Sequence, residues 1–404
     1  MIFVGVDWAE AHHDICILDA AGAVLARKRI LDTLAGVREL HELLGAHADE
    51  PGAVFVGIEK DRGLIVTSMI AASYHVYALN PLSVSRYRER HVTSGSKSDP
   101  GDAKVLADLV RTDRHNHREA AGDSEGAEAI KVLARAHQGA IWSRQRESNA
   151  LRNALKDYYP GALLAFGSDL HDRDAVAILE IAPTPPLGRQ LSKSKIIAAL
   201  KRAGRERNLE RRAKEIQEAL REDQLHQGPV LEVAYGKISR AHVTMIRHYN
   251  VEIGELETAL TEGFEQHPDA GIILSLPGMG MVLGARVLGE FGDAPNRYAD
   301  AQSRRNYAGT SPITRASGTS RIVMARYARN TRLIDAADQW AFCSLTRSSG
   351  ARAYYDELRA RHKTHRQALR QLANRFVGIL HACLEQRVLY DEGTAWKHRA
   401  DLVA

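Results

Sequence analysis

The chain has 404 residues, a net charge of +5 and 44% apolar residues. That balance excludes a disordered or fibrous protein, and no apolar run reaches the ~20 residues a membrane-spanning helix needs. The expectation is therefore a globular bacterial protein of the cytoplasm with two or three domains, no secretory signal, and a basic excess suited to a polyanionic partner.

Ile2–Trp8, His13–Leu18 and Val24–Ile30 are short apolar or alternating runs, close enough in sequence to form an antiparallel meander. Leu34, Val37, Leu40, Leu43 and Leu44 then recur at helical spacing, so residues 33–46 read as an amphipathic helix. A strand over Ala53–Glu59, a helix over Ile65–Ala72, a strand over His75–Leu79 and a helix over Pro81–Arg90 follow. This order is the layout of an RNase H-like (RuvC-like) fold, in which the first and fourth strands lie side by side. Each of those two strands ends in an acid, Asp7 and Glu59.

Lys97-Ser98-Asp99-Pro100-Gly101-Asp102 opens the next helix: Asp99 is a favoured N-cap and Pro100 suits the first helical position. Asp99 and Asp102, three apart, share one side of that helix. Four carboxylates brought together repel one another unless cations neutralise them, and an all-oxygen set suits Mg²⁺ or Mn²⁺. Either acid pair alone is ordinary capping or turn chemistry; the order, acid on one strand, acid on its neighbour, paired acids at a helix start, favours metal binding. Sugar kinases and actin-like ATPases share the strand order, but their first turn cradles phosphate with Gly and Ser or Thr. Here that turn is Trp8-Ala9-Glu10-Ala11-His12, bulky and acidic.

Val6-Asp7-Trp8, Gly57-Ile58-Glu59 and Lys97-Ser98-Asp99 with Asp102-Ala103 resemble the DEDD transposases of bacterial insertion sequences, a family that includes the Piv-type DNA invertases. After the glutamate the family often has a small residue, Thr and Gly, where this chain has Lys60-Asp61-Arg62-Gly63. The resemblance implies a RuvC-like domain carrying the tetrad Asp7, Glu59, Asp99 and Asp102, a helical middle, and a C-terminal transposase domain with a nucleophilic serine. It also implies Mg²⁺ or Mn²⁺, DNA as substrate at the nucleoid, a homodimer or homotetramer, and in some members a guide RNA. The domains expected are residues 1–120, 121–265 and 266–390, followed by a tail over 391–404.

From Glu125 to Tyr159 the chain is strongly helical, with Arg144 and Arg152 among cations that can meet a nucleic-acid backbone. Ala182–Leu187 breaks it, and residues 194–224 give short helices rich in Lys and Arg. Ala234–Glu265 is the longest helix; Ile246, Tyr249, Ile253, Leu256 and Leu260 step like a coiled-coil seam, toward a second chain or the 125–159 helix alike. Leu276-Pro277-Gly278-Met279-Gly280 resembles the turn of a helix-hairpin-helix, where Gly278, Gly280 and the following helix N-terminus can take a DNA phosphate.

Ala316-Ser317-Gly318-Thr319-Ser320 alone reads as a turn. By the family match Ser317 is the nucleophile, with Ser311 and Ser320 as nearby competitors, and Arg315, Arg321, Arg326, Arg329 and Arg332 offer guanidinium groups for phosphate. The function expected is strand cutting and rejoining for insertion-sequence mobility. The alternatives are a hydrolytic, metal-dependent junction endonuclease and a non-catalytic nucleic-acid binder.

Overall fold

The computed structural model describes residues 1–91, 99–117, 119–120, 122–295, 297–326 and 329–400, with the backbone alone at 91, 99 and 398–400. Lys97 and Ser98 of the sequence motif lie outside the described residues, as does the side chain of Asp99. The chain forms two compact units, Met1–Asp123 and Ser124–Ala404.

The first unit holds strands β1 (Ile2–Trp8), β2 (His12–Leu18), β3 (Val24–Leu31), β4 (Val54–Ile58) and β5 (His75–Ala78) in one sheet of order β3-β2-β1-β4-β5. The meander β1-β2-β3 is antiparallel, whereas β4 and β5 run parallel to β1. Helices α1 (Leu34–Gly45) and α2 (Leu64–Ala71) cover one face of the sheet, where Leu40, Leu44, Ile65 and Met69 pack on Val4, Val6, Val56 and Ile58. Helices α3 (Pro81–His91) and α4 (Asp99–Asp113) cover the other, with Val84, Leu106 and Val110 packed near Phe3, Cys16 and Leu18.

Two glycines set how deeply α4 seats. Gly5 and Gly57 are register partners on β1 and β4. A Cβ on Gly5 would come 1.8 Å from the Ala103 carbonyl oxygen, and one on Gly57 would come 2.7 Å from that of Leu106. Helix backbone therefore lies directly on strand backbone, an approach that only glycine permits.

The second unit is helical apart from one hairpin. Its long helices α5 (Glu125–Tyr158) and α11 (Pro229–Glu265) form an antiparallel pair within the chain. This is the intramolecular of the two partners the heptad-like spacing allowed. At one end of the pair, α6 (Pro160–Phe166), α7 (Arg173–Ile181), α8 (Pro185–Arg189), α9 (Lys193–Arg202) and α10 (Leu209–Arg221) build a small core around Leu155, Tyr158, Leu179, Ile216 and Ile246. The other end carries α12 (Ala270–Ser275), α13 (Met281–Phe291), α14 (Ala301–Ala308), the hairpin β6 (Ile313–Ser317) and β7 (Ser320–Met324), then α15 (Thr331–Ser344), α16 (Ser349–Ala360), α17 (His365–Gln386) and α18 (Glu392–Ala400). Trp340, Phe376 and Phe264 centre that core.

Residues 391–397 of the tail, silent in the sequence, are built into it. Trp396 packs its indole against Phe376 and over Gly350, where a Cβ would come 2.3 Å from the ring. Glu392 accepts from the Ser348 hydroxyl and the Gly350 amide at the start of α16.

Candidate functional site

On the face of the sheet that α4 covers, β1 presents Phe3, Gly5 and then Asp7, while β4 presents Phe55 and Gly57 and leads into Glu59. The pairing matches like with like: Phe3 on Phe55, whose rings stack at 5.6 Å, and Gly5 on Gly57. Phe-Val-Gly-Val-Asp at 3–7 and Phe-Val-Gly-Ile-Glu at 55–59 are thus two copies of one pattern. An aromatic anchors each strand, a glycine admits the helix, and an acid emerges at the carboxyl end, where parallel sheets place their ligands. That near-repeat was the signal for the α4 trough, and reading each strand singly passes over it.

With the helix seated so, its N-terminal turn lies over the acid-bearing strand ends. Asp7, Glu59 and Asp102 line one polar cavity of about 440 Å³, together with Asp14, His12, Trp8 and Arg88. Asp14 is the cross-strand partner of Asp7 on β2, and sequence reading missed it. Arg29 grips it through a fork, Nε 3.1 Å and Nη2 2.7 Å from its two oxygens. Asp102 is 8% exposed, and Arg88 Nη2 stands 2.8 Å from its Oδ1. Lys60, where the family has a small residue, lays its ammonium over the Trp8 ring at the cavity wall, a cation–π contact.

The donors on offer are carboxylate oxygens, the hard set that Mg²⁺ and Mn²⁺ prefer, so the residues fit a divalent ion in kind. Among the described residues no three acids, imidazoles or thiols stand close enough to cage an ion. Arg88 is the cation that Asp102 has at hand.

Ser317 closes the exposed hairpin of the second unit. It pairs with Ser320 across a two-residue turn whose Gly318 has φ +55°, a region glycine tolerates. Alternation along the strands puts Arg315 on the face of Ser317 and Arg321 on the opposite face. The two competing serines part company here. Ser320 is exposed beside Ser317, whereas Ser311 is 1% exposed and its hydroxyl donates to Asn306 at 2.5 Å. Thr310 donates likewise to Asn374 of α17, so the root of the hairpin is pinned while its tip stands free.

Several arginines offered to nucleic acid hold the protein together. Arg144 donates to Asn250 across the α5–α11 pair, and burial pushes it below the usual guanidinium range. Arg152 donates to the Gly167 carbonyl that ends α6. Arg329 packs on Gly309 and donates to the Arg326 carbonyl; Arg326 in turn reaches Asn306. Arg332 reaches the Arg135 carbonyl and lies over Trp142.

The turn between α12 and α13 has its glycines for two different reasons. Gly278 has φ +78° and touches α15, where a Cβ would come 2.5 Å from the Ser344 amide nitrogen. Gly280 caps α13 with open space around it.

Residues 4–160 match the DEDD IS110-type transposase family, and residues 270–373 match the transposase IS116/IS110/IS902 family. Over 399 residues the chain is 44% identical to the mini-circle putative transposase for IS117 of Streptomyces coelicolor, covering 98% of this chain and 96% of that protein. It is 27% identical to the IS110 uncharacterized 43.6 kDa protein of the same organism, over 96% of this chain and 95% of the other. It is 26% identical to the IS900 uncharacterized 42 kDa protein of Mycobacterium paratuberculosis, over 97% and 98%.

Proposed function

Because the chain belongs to the IS116/IS110/IS902 family of transposases, we propose that it cuts and rejoins DNA strands to move an insertion sequence. Its first unit serves as an RNase H-like catalytic domain and its α12–α17 region as the domain that carries the nucleophile. The observation that carries this reading is the shared cavity of Asp7, Glu59 and Asp102, three acids from distant stretches of chain. Asp99, at the start of α4, completes the tetrad.

These carboxylates would hold Mg²⁺ or Mn²⁺, which would polarise the scissile phosphate and stabilise the charge developing on it. The chain supplies the rest. The buried trough of Gly5 and Gly57 seats α4 on the strands and so brings Asp102 to the cavity that Asp7 and Glu59 line. Ser317 Oγ attacks phosphorus, a deoxyribose oxygen leaves with the P–O electron pair and takes up the proton the serine gives away, and a phosphoserine link forms. A DNA hydroxyl later reverses the step and frees the serine, so the phosphodiester is conserved without ATP. Arg315, on the same face, offers its guanidinium to the phosphate.

Strand exchange brings several such chains together, as a dimer or tetramer. Nucleic-acid backbone, of element DNA or of a guide RNA, falls to exposed cations such as Lys195, Lys201 and Arg202, which share one acid-free helix, α9.

Incubating the purified protein with element-end DNA and Mg²⁺ tests this reading. A covalent protein–DNA adduct should form, map to Ser317, and vanish in Ser317→Ala. Strand cutting that persists in that variant, without an adduct, would instead establish the hydrolytic junction endonuclease. DNA binding without strand cutting, in Mg²⁺ as in EDTA and in the natural protein as in Asp102→Asn, would leave only nucleic-acid binding.

A further inference from the structure

We propose that Arg88 is the resident counter-ion of the acid cavity: it holds Asp102 in the ion-free protein, and a divalent cation must displace it to bind. The inference rests on the metal-binding reading above and adds a competitor to it.

Two arginines serve acids of this cavity, and they do so differently. Arg29 engages Asp14 with Nε and Nη2 on separate oxygens, the fork-to-fork geometry that fixes a pair in place. Arg88 reaches Asp102 with Nη2 at 2.8 Å, yet its Nε is buried and meets no acceptor. A buried donor left unmade costs stability, so a guanidinium serving only as a brace would be expected to use it. The half-used fork marks a cation held by the charge of the cavity rather than by fitted geometry.

The charge inventory agrees. Among the described residues, Asp7, Asp14, Glu59 and Asp102 line the cavity together with Arg88 and His12, and the Lys60 ammonium lies over Trp8 at its wall. Asp14 is paired with Arg29, and among the described residues lining the cavity Arg88 is the guanidinium set against Asp102. A divalent ion at Asp102 brings two positive charges to the same carboxylate, where a guanidinium and the ion repel. Uptake is therefore an exchange, dication in and guanidinium out, and the measured affinity is lower than the acids alone would give. Arg88 lies on α3 and Asp102 on α4, so the exchange separates a side chain of one helix from a side chain of the other.

Mn²⁺ binding to the full-length protein, followed by calorimetry and by loss of the free-ion spin-resonance signal, tests the exchange. Arg88→Met keeps an unbranched apolar stem and removes the charge; it should bind Mn²⁺ about tenfold more tightly than the natural protein, the scale expected for deleting one nearby like charge. Arg88→Lys, which keeps the charge, should stay close to the natural affinity. In EDTA the Met variant should melt at a lower temperature, and Mn²⁺ should restore it. An affinity unchanged or weakened in Arg88→Met, with Arg88→Lys folded and unaltered, overturns the proposal and makes Arg88 a brace or a helper of the ion. If neither the natural protein nor either variant takes up Mn²⁺, the metal reading itself fails and the exchange with it.

Discussion

In the first unit the candidate acids hang from two central parallel strands and from a helix pressed onto their backbone. In the second, Ser317 tips a two-stranded hairpin whose second strand is exposed along its whole length, with Ile322, Val323 and Met324 open to solvent. An isolated hairpin gains little stability from itself, so its root, fixed by Thr310 and Ser311, and whatever its tip meets decide its geometry. On the proposed reading, the difference follows from what each group does. Acids that share an ion tolerate errors of only a few tenths of an ångström and need a rigid seat. A side chain that must reach a long polyanion benefits from projection more than from burial.

Breaking either half should expose that division of labour. The largest effect belongs to Asp102→Asn, which should lower strand transfer in Mg²⁺ by about a thousandfold or more while leaving DNA binding intact, if electrostatic stabilisation of the transition state is the main contribution; an electrophoretic binding assay beside the transfer assay separates the two. Ser317→Ala should match it in adduct formation, and Ser320→Ala should not.

Next comes the seat itself. Gly57→Val pushes a branched side chain into Val110 and the Leu106 carbonyl, and urea unfolding should report a loss of about 3 kcal/mol, the scale of an overpacked core. A replacement on the hairpin, Gly318→Ala, faces open space and only its φ of +55° to oppose it, so a loss of about 1–2 kcal/mol is expected.

The second unit has its own rigid part, which sharpens the contrast. Glu290 is 4% exposed and accepts a fork from Arg135 of α5 and the amide of Asn330, the cap of α15. Burial works to raise its pKa, but Arg135, Asn330 and the charge of Arg332 outweigh that and hold the carboxyl below its ordinary value. A depressed folded-state pKa means the stabilisation is complete above the unfolded value near 4.5 and is lost as pH falls through the folded one. Glu290→Gln should therefore cost about 3 kcal/mol at neutral pH, the scale of a broken buried pair, and should flatten the acid limb of the unfolding curve below pH 4.5.

The smallest effects concern the arginines. Arg315→Ala should reduce the salt dependence of DNA binding by about one phosphate contact, whereas Arg144→Ala and Arg152→Ala should leave that slope alone and lower only the melting temperature.

The sheet and its acids were legible because both obey local rules: alternating apolar runs, a proline-marked helix start, and a carboxylate ending each central strand. The arginines were not legible, because a guanidinium's job is set by its partner, and the partners are remote: Asn250 for Arg144, Glu290 for Arg135. Arg88 carries no sequence signal at all; only the packing of α3 beside α4 brings it to Asp102. Ser317 could be named from the family resemblance, yet its exposure, and the loss of Ser311 to a buried hydrogen bond, needed the folded hairpin.

The place of Trp396 has a consequence for the order in which the protein comes into being. The first unit is complete once residue 123 has been made. The second cannot close its core until Trp396 has been made, because its indole fills the space over Gly350. A nascent chain thus carries the strands and helix that bear Asp7, Glu59 and Asp102 long before the region around Ser317 can settle.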